Sequence, residues 1–167
     1  MARQLWLLRH ADAEPHGSRP QDAERRLTER GEAQARAAGE ALGRMDVQFE
    51  EVLYSPKARA HQTAEIAAEA WSDEQQAAMR AEPALAGGFG ASQALGCVGS
   101  LGADGRLLLV GHEPDLSTVV AELTGARVDL KKGGLAVVRL EGPGGELVAL
   151  LRPRELALIA GVPVSAD

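Results

Sequence analysis

Only one cysteine, Cys97, occurs in 167 residues. A lone thiol excludes a disulfide within the chain, and nothing points to an oxidising compartment. Cys97 itself reads as core filler rather than as a nucleophile. Aromatic residues are scarce at 3%, so the interior has to be built from Leu, Val and Ala. An excess of positive charge is also missing. A formal charge of −6 argues against general binding to nucleic acid or to an anionic membrane, both of which select a basic face. Long hydrophobic runs are absent too. Residues 83–103 carry no charge, but six glycines make them a poor membrane span. The opening residues hold one early Arg and four consecutive apolar residues, too few for a secretory core, so the expectation is a cytoplasmic chain. No histidine pair has a metal-ligand spacing such as His-Glu-x-x-His, and no metal or other cofactor is expected.

The composition is otherwise ordinary for a globular protein, with 45% hydrophobic and 25% charged residues. The length suits one domain over residues 1–167 that buries its own core. A strand is predicted over residues 3–8, followed by a long polar loop, Asp12 to Arg26, broken by Pro15, Gly17 and Pro20. Thr28 then reads as an N-cap, and Ala35, Ala38, Leu42 and Met45 trace one helical face. Gly31 and Gly39 weaken that helix without breaking it. Val52-Leu53-Tyr54 is a second strand. Ser55-Pro56 reads as a cap with proline in the first helical position, opening a helix to about Trp71. A short strand over 79–82 and a small helix over 92–101 follow. Leu107 to Val110 form another buried strand, and Glu113-Pro114-Asp115 open a helix that Gly125 ends. Two strands, 135–140 and 147–151, flank a Gly-Pro-Gly-Gly turn. Such alternation predicts an α/β three-layer sandwich, its mostly parallel sheet covered by helices on both faces.

Three strand ends carry the chemistry. The first strand, Leu5-Trp6-Leu7-Leu8, runs straight into Arg9-His10. The second leads through Ser55-Pro56 to Arg59 in the first turn of a helix. The strand 107–110 ends in Gly111-His112. In a parallel sheet all three open on the carboxyl edge, where ligands bind. Two guanidinium groups and a helix N-terminus favour a phosphate anion, and His10 beside them is a candidate nucleophile. His16 and His61 read as surface residues, Ser55 as a cap, and Asp12 and Glu14 as ordinary loop acids.

The segments Arg9-His10-Ala11, Ser55-Pro56-Lys57-Ala58-Arg59-Ala60-His61-Gln62-Thr63-Ala64 and Gly111-His112 resemble the motifs of the histidine phosphatase (phosphoglycerate mutase-like) superfamily. In length and motif order the chain most resembles the small SixA-type phosphohistidine phosphatases. Arg25-Arg26-Leu27-Thr28-Glu29-Arg30-Gly31 is similar to that branch's Arg-Pro-Leu-Thr-x-x-Gly, with Arg26 in place of proline. The resemblance implies the phosphoglycerate mutase-like fold and a covalent phosphohistidine on His10. It implies phosphate binding by Arg9 and Arg59, transition-state stabilisation by His112, and an auxiliary contact from Arg25. Glu113 is a candidate proton donor, because Pro83 to Gly88 offer no acid and only Glu82 precedes them.

A weak acid hurts ester hydrolysis more than hydrolysis of a phosphoramidate, whose imidazole leaves easily. The implied substrate is therefore a phosphohistidine protein. The alternatives are a small-molecule phosphomonoesterase or mutase on the same scaffold, and a non-catalytic phosphoanion-binding module. The expected partner is a phosphorylated substrate rather than nucleic acid or a membrane.

Overall fold

The computed structural model describes residues 2–163. The elements are, in order, β1 (Gln4–Arg9), α1 (Glu29–Arg44), β2 (Glu51–Tyr54), α2 (Ala58–Ala68), α3 (Asp73–Ala77), β3 (Met79–Ala81), α4 (Ala91–Val98), β4 (Arg106–Gly111), α5 (Asp115–Thr124), β5 (Leu135–Glu141), β6 (Gly144–Leu151) and α6 (Pro153–Ala160). The strands form one sheet in the order β3-β2-β4-β1-β5-β6. β1 and β2 both pair in parallel with β4, and β3 pairs in parallel with β2. β5 is antiparallel to β1, and β6 is antiparallel to β5.

The sheet is thus mixed, which corrects the mostly parallel expectation at one edge. The chain leaves the end of α5 and returns to the carboxyl edge through residues 125–134 without a paired strand. β5 therefore enters the sheet from that edge, with Leu135 opposite Leu8. The tight turn that follows joins two neighbours only if they are antiparallel.

Alternation along the strands divides the interior in two. Leu5, Leu7, Leu53, Leu107 and Leu109 face Ala94 and Val98 of α4 and Leu116, Val119 and Val120 of α5. Trp6, Leu8, Val52, Leu108 and Val110 face Ala38 and Leu42 of α1, Ala60 and Ala64 of α2, and Leu156 and Ala160 of α6. Leu5, Leu7, Leu8, Leu107, Leu108 and Leu109 are completely buried. Each contributes on the order of 1.5–3 kcal/mol through that burial. This interior holds the ends of β1 and β4 rigidly in place. Among the described residues, no helix is long and apolar enough to cross a membrane.

Two helical boundaries depart from expectation. α2 begins at Ala58 rather than at Pro56, because Ser55 Oγ accepts the Lys57 N–H (3.3 Å) and turns the chain before the helix starts. It ends at Ala68, and Ser72 caps a separate helix, α3, by accepting from Gln75 N. α6 was not anticipated, although Pro153 in its first turn and Gly161 at φ 70° beyond its end mark it. Thr28 caps α1 as expected, its side chain accepting from Gly31 N.

Gly39 has a packing reason that helix propensity does not reveal. A Cβ there would lie 2.0 Å from the carbonyl oxygen of Ala67, so α1 and α2 meet backbone to backbone. Propensity alone credits Gly39→Ala with about 1 kcal/mol of stability. The contact reverses the sign: the variant is expected to lose about 1–3 kcal/mol in urea unfolding. An unchanged or higher urea midpoint would contradict the close approach.

Candidate active site

Register brings the strand ends together. Arg9 pairs with Gly111, Leu8 with Val110, and Val110 in turn with Tyr54. Just beyond, His10 N donates to Gly111 O (2.9 Å) and Ser55 N donates to Val110 O (3.0 Å). His10, Ser55 and His112 therefore leave three adjacent strands at one level. The ring centroids of His10 and His112 are 5.3 Å apart. α2 is tied to the same place, because Thr63 Oγ1 accepts from Ala11 N and donates to Arg59 O.

The six residues singled out from the sequence line one cavity of about 170 Å³: Arg9, His10, Arg25, Arg59, His112 and Glu113. His10, Arg25, Arg59 and His112 are all buried. Between the two arginines offered by the motif, Arg25 faces inward while Arg26 is exposed. Lys132, which the sequence reading did not single out, lines the cavity as well, and so does the exposed His16. His61 lies on the outer side of α2, stacked on Tyr54 at 4.7 Å and paired with Glu65.

Hydrogen bonding assigns the proton on His10. Its Nδ1 lies 2.8 Å from the carbonyl oxygen of Ala11, which can only accept, so Nδ1 carries the hydrogen and Nε2 keeps its lone pair. Burial, aided by the charges of Arg59, Arg9 and Lys132, lowers the pKa of His10 from 6.5 to about 4, against the opposing Ala11 contact. His112 Nε2 lies 2.7 Å from Ser55 Oγ. That hydroxyl also accepts from Lys57 N, and in the tautomer with the ring hydrogen on Nδ1 it gives its own proton to Nε2. Burial, with smaller contributions from His10 and Arg59, lowers the pKa of His112 to about 3. Ser55 is thus more than a cap: it orients His112.

The arginines are held by groups that sequence reasoning passed over. Asp22 sits in a short 3₁₀ turn within the loop, and its carboxylate bridges Arg25 Nε (2.8 Å) and Arg59 Nη2 (3.1 Å). Its carbonyl accepts from Arg59 Nη1 (3.0 Å). The hydrogen bond from Arg25, with the nearby charge of Arg59, lowers the Asp22 pKa to about 2, so it is a carboxylate throughout the neutral range. The loop itself is pinned. Ala13 and Leu27 form an antiparallel bridge, Arg25 Nη1 donates to Glu14 O (2.7 Å), and Thr28 Oγ1 donates to Asp12 Oδ2 (2.7 Å). Arg9 Nη1 is steadied by Leu130 O at 3.0 Å.

Among the described residues, three buried side-chain nitrogen atoms have no hydrogen-bond partner: Arg9 Nε, Arg59 Nε and His112 Nδ1. Such atoms are costly when buried without a partner, and all three belong to residues that line this cavity. Glu113 is differently placed. Its Oε1 accepts from Ser117 N (2.9 Å) and its Oε2 from Ser117 Oγ, so both oxygens are engaged at the start of α5. Glu82 caps the turn after β3 through Ala84 N.

Comparison with known proteins fits this geometry. A family model described as the histidine phosphatase superfamily (branch 1) matches residues 5–86. A protein of Picosynechococcus sp. is 33% identical over 152 residues, spanning 81% of this chain and 84% of its own. Among solved structures, a candidate phosphohistidine phosphatase SixA from Nakamurella multipartitia is 30% identical, with a TM-score of 0.76 over 92% of this chain and 97% of its own. The protein histidine phosphatase SixA complexed with tungstate has the same fold at 24% identity, with a TM-score of 0.80 over 92% of this chain and 99% of its own. So has an α-ribazole-5′-P phosphatase candidate from Escherichia coli, at 20% identity and a TM-score of 0.74 over 91% and 98% of the two chains. With strand ends, motifs and relatives in agreement, the chain belongs to the histidine phosphatase superfamily, and it is a phosphatase by that membership.

Proposed function

We propose that the protein hydrolyses phosphohistidine on a protein substrate by way of a phosphohistidine formed on its own His10. The observation that carries the chemistry is the neutral His10, with Nε2 free, in a cavity lined by the owners of three buried nitrogen atoms without a partner. Nε2 attacks phosphorus in line while the bond to the departing nitrogen breaks. The transferred group then sits on His10 until water displaces it as inorganic phosphate. Arg9 and Arg59 hold equatorial oxygens. His112 donates from Nδ1 as charge builds on the transferring group. Arg25 contacts phosphate beside them and shares the Asp22 carboxylate with Arg59. Dividing the displacement into two steps lets one buried imidazole serve as nucleophile and then as leaving group.

Glu113 supports the choice of substrate. An alkoxide must be protonated as it departs, whereas the imidazole of a phosphohistidine is basic enough to depart already protonated. With both oxygens held by Ser117, Glu113 is poorly placed as a strong acid, which favours the phosphoramidate. The small cavity points the same way. About 170 Å³ falls short of the roughly 300–1,000 Å³ of pockets that enclose a whole small-molecule ligand, which leaves much of a larger substrate outside.

Assayed against phosphohistidine peptide, phosphoserine peptide and sugar phosphates, the protein is expected to have kcat/KM at least about tenfold higher on phosphohistidine, worth about 1.4 kcal/mol in transition-state free energy. A phosphate ester turned over more efficiently would replace this reading with that of a small-molecule phosphomonoesterase.

The lowered pKa values of His10 and His112 predict a pH dependence with a definite sign. Between pH 6.5 and about 4 the unfolded chain binds protons on both imidazoles that the folded chain does not. Stability therefore falls on acidification through that window and is unaffected by these two groups above it. Nitrogen-15 NMR is expected to find His10 neutral, as the Nδ1–H tautomer, down to about pH 5. Titration of His10 at 6.5 or above would refute the assignment.

A further inference from the structure

A second cleft, of about 510 Å³, adjoins the catalytic cavity and shares Arg9 and Lys132 with it as a common wall. Its remaining charged walls are Arg30, Lys131, Arg152 and Asp12. Five cationic side chains thus face one carboxylate, in a chain whose formal charge is −6. The helix ends add to the imbalance. Arg30 stands in the first turn of α1, and Arg152 with Pro153 forms the entry to α6, so two positive helix termini border the cleft.

Local acids offset part of this charge. Lys131 pairs with Asp129 at 2.7 Å, Lys132 lies 3.7 Å from Asp12 Oδ1, and Arg152 pairs with Glu155 at 2.8 Å. Exposed pairs of this kind are weak and readily exchanged for another anion.

The cations differ from those of the catalytic cavity in accessibility. Arg59 is 6% exposed at its side chain, whereas Lys131 and Arg152 are 55% and 56% exposed. Exposed cations spread along an open cleft do not define the fixed position that a single small metabolite requires. They suit several carboxylates carried on one chain, held by long-range attraction. The phosphoryl cavity, at about 170 Å³, leaves most of a protein substrate outside it, and the cleft adjoins it along the shared wall of Arg9 and Lys132.

Resting on the phosphohistidine assignment above, we propose that the cleft between the starts of α1 and α6 docks an acidic segment of the protein substrate beside its phosphohistidine. The segment contributes to recognition and leaves the chemistry at His10 untouched.

The test uses two phosphohistidine peptides, one flanked by aspartates and one by asparagines, together with p-nitrophenyl phosphate and a fluorescent aspartate-rich peptide without phosphate. Arg30→Glu and Lys131→Glu are made singly and together. Arg30→Glu places a carboxylate at a helix N-terminus, where it is tolerated, and neither residue belongs to the catalytic cavity. The expected results for the unaltered protein are a KM about tenfold lower for the aspartate-flanked peptide, and an advantage that shrinks as salt rises from about 50 to 200 mM. The double variant is expected to lose that advantage and to release the fluorescent peptide, while turning over p-nitrophenyl phosphate as before.

Equal KM values for the two peptides in the unaltered protein would overturn the docking site and leave the phosphohistidine assignment standing. So would a preference that survives in the double variant. If the fluorescent peptide binds and is released by the double variant while neither phosphohistidine peptide is hydrolysed, the acidic docking surface stands and the substrate assignment falls. A cleft that the two substitutions close to a sugar bisphosphate but not to the peptides is a small-molecule subsite, which also overturns the proposal.

Discussion

Three parallel strands ending at the same level are the constraint on which the site depends. β1, β4 and β2 are bonded so that Leu8, Val110 and Tyr54 lie side by side, and the next residues out include His10, Gly111 and Ser55. Slipping one strand by a residue would turn its buried leucines toward the wrong layer. The same slip would move a histidine off the carboxyl edge. Core packing and active-site geometry are therefore enforced by one set of hydrogen bonds, and the completely buried leucines of β1 and β4 hold the register in place.

Burial also determines the chemistry of the two histidines. An imidazole enclosed beside two guanidinium groups is expensive to protonate, so His10 stays neutral with an unprotonated Nε2, the state that the proposed nucleophile needs. The Ala11 carbonyl selects the tautomer and the Ser55 hydroxyl orients the second imidazole. Asp22 has the opposite task. Arg25 and Arg59 would repel one another when placed side by side, and the carboxylate between them offsets that repulsion while leaving Arg59 Nε free. Destabilisation of this kind is tolerated at functional sites when the surrounding fold is strong enough to hold it.

Much of this was legible in the sequence, for a local reason. A strand buried on both faces is a short apolar run, and a charged residue at its end can only be an edge residue, so Leu5 to His10 and Leu107 to His112 announced themselves. The same holds for Arg59, one residue into a helix that follows a strand. Partners far apart in sequence were not legible. Asp22 reaches Arg59 across 37 positions, and Ser55 meets His112 across 57. Lys132 enters the cavity from the loop before β5, whose path depends on β5 entering the sheet from the carboxyl edge. Gly39 looked like a weak point of α1 because a contact between two helix backbones leaves no hydrophobic pattern. The reversed direction of β5 was hidden for a similar reason: a strand's residues do not encode which way it runs.

The central claim is that His10 Nε2 carries the phosphoryl group between the two displacements. Rapid acid-free quenching during turnover, followed by phosphorus-31 NMR and mass spectrometry of the protein, tests it directly. The expected result is one phosphoryl group on His10, bound through Nε2, stable in base and lost in acid, and absent from His10→Ala. Steady turnover with no phosphorylated protein, or with the phosphoryl group on His112 instead, would contradict the account.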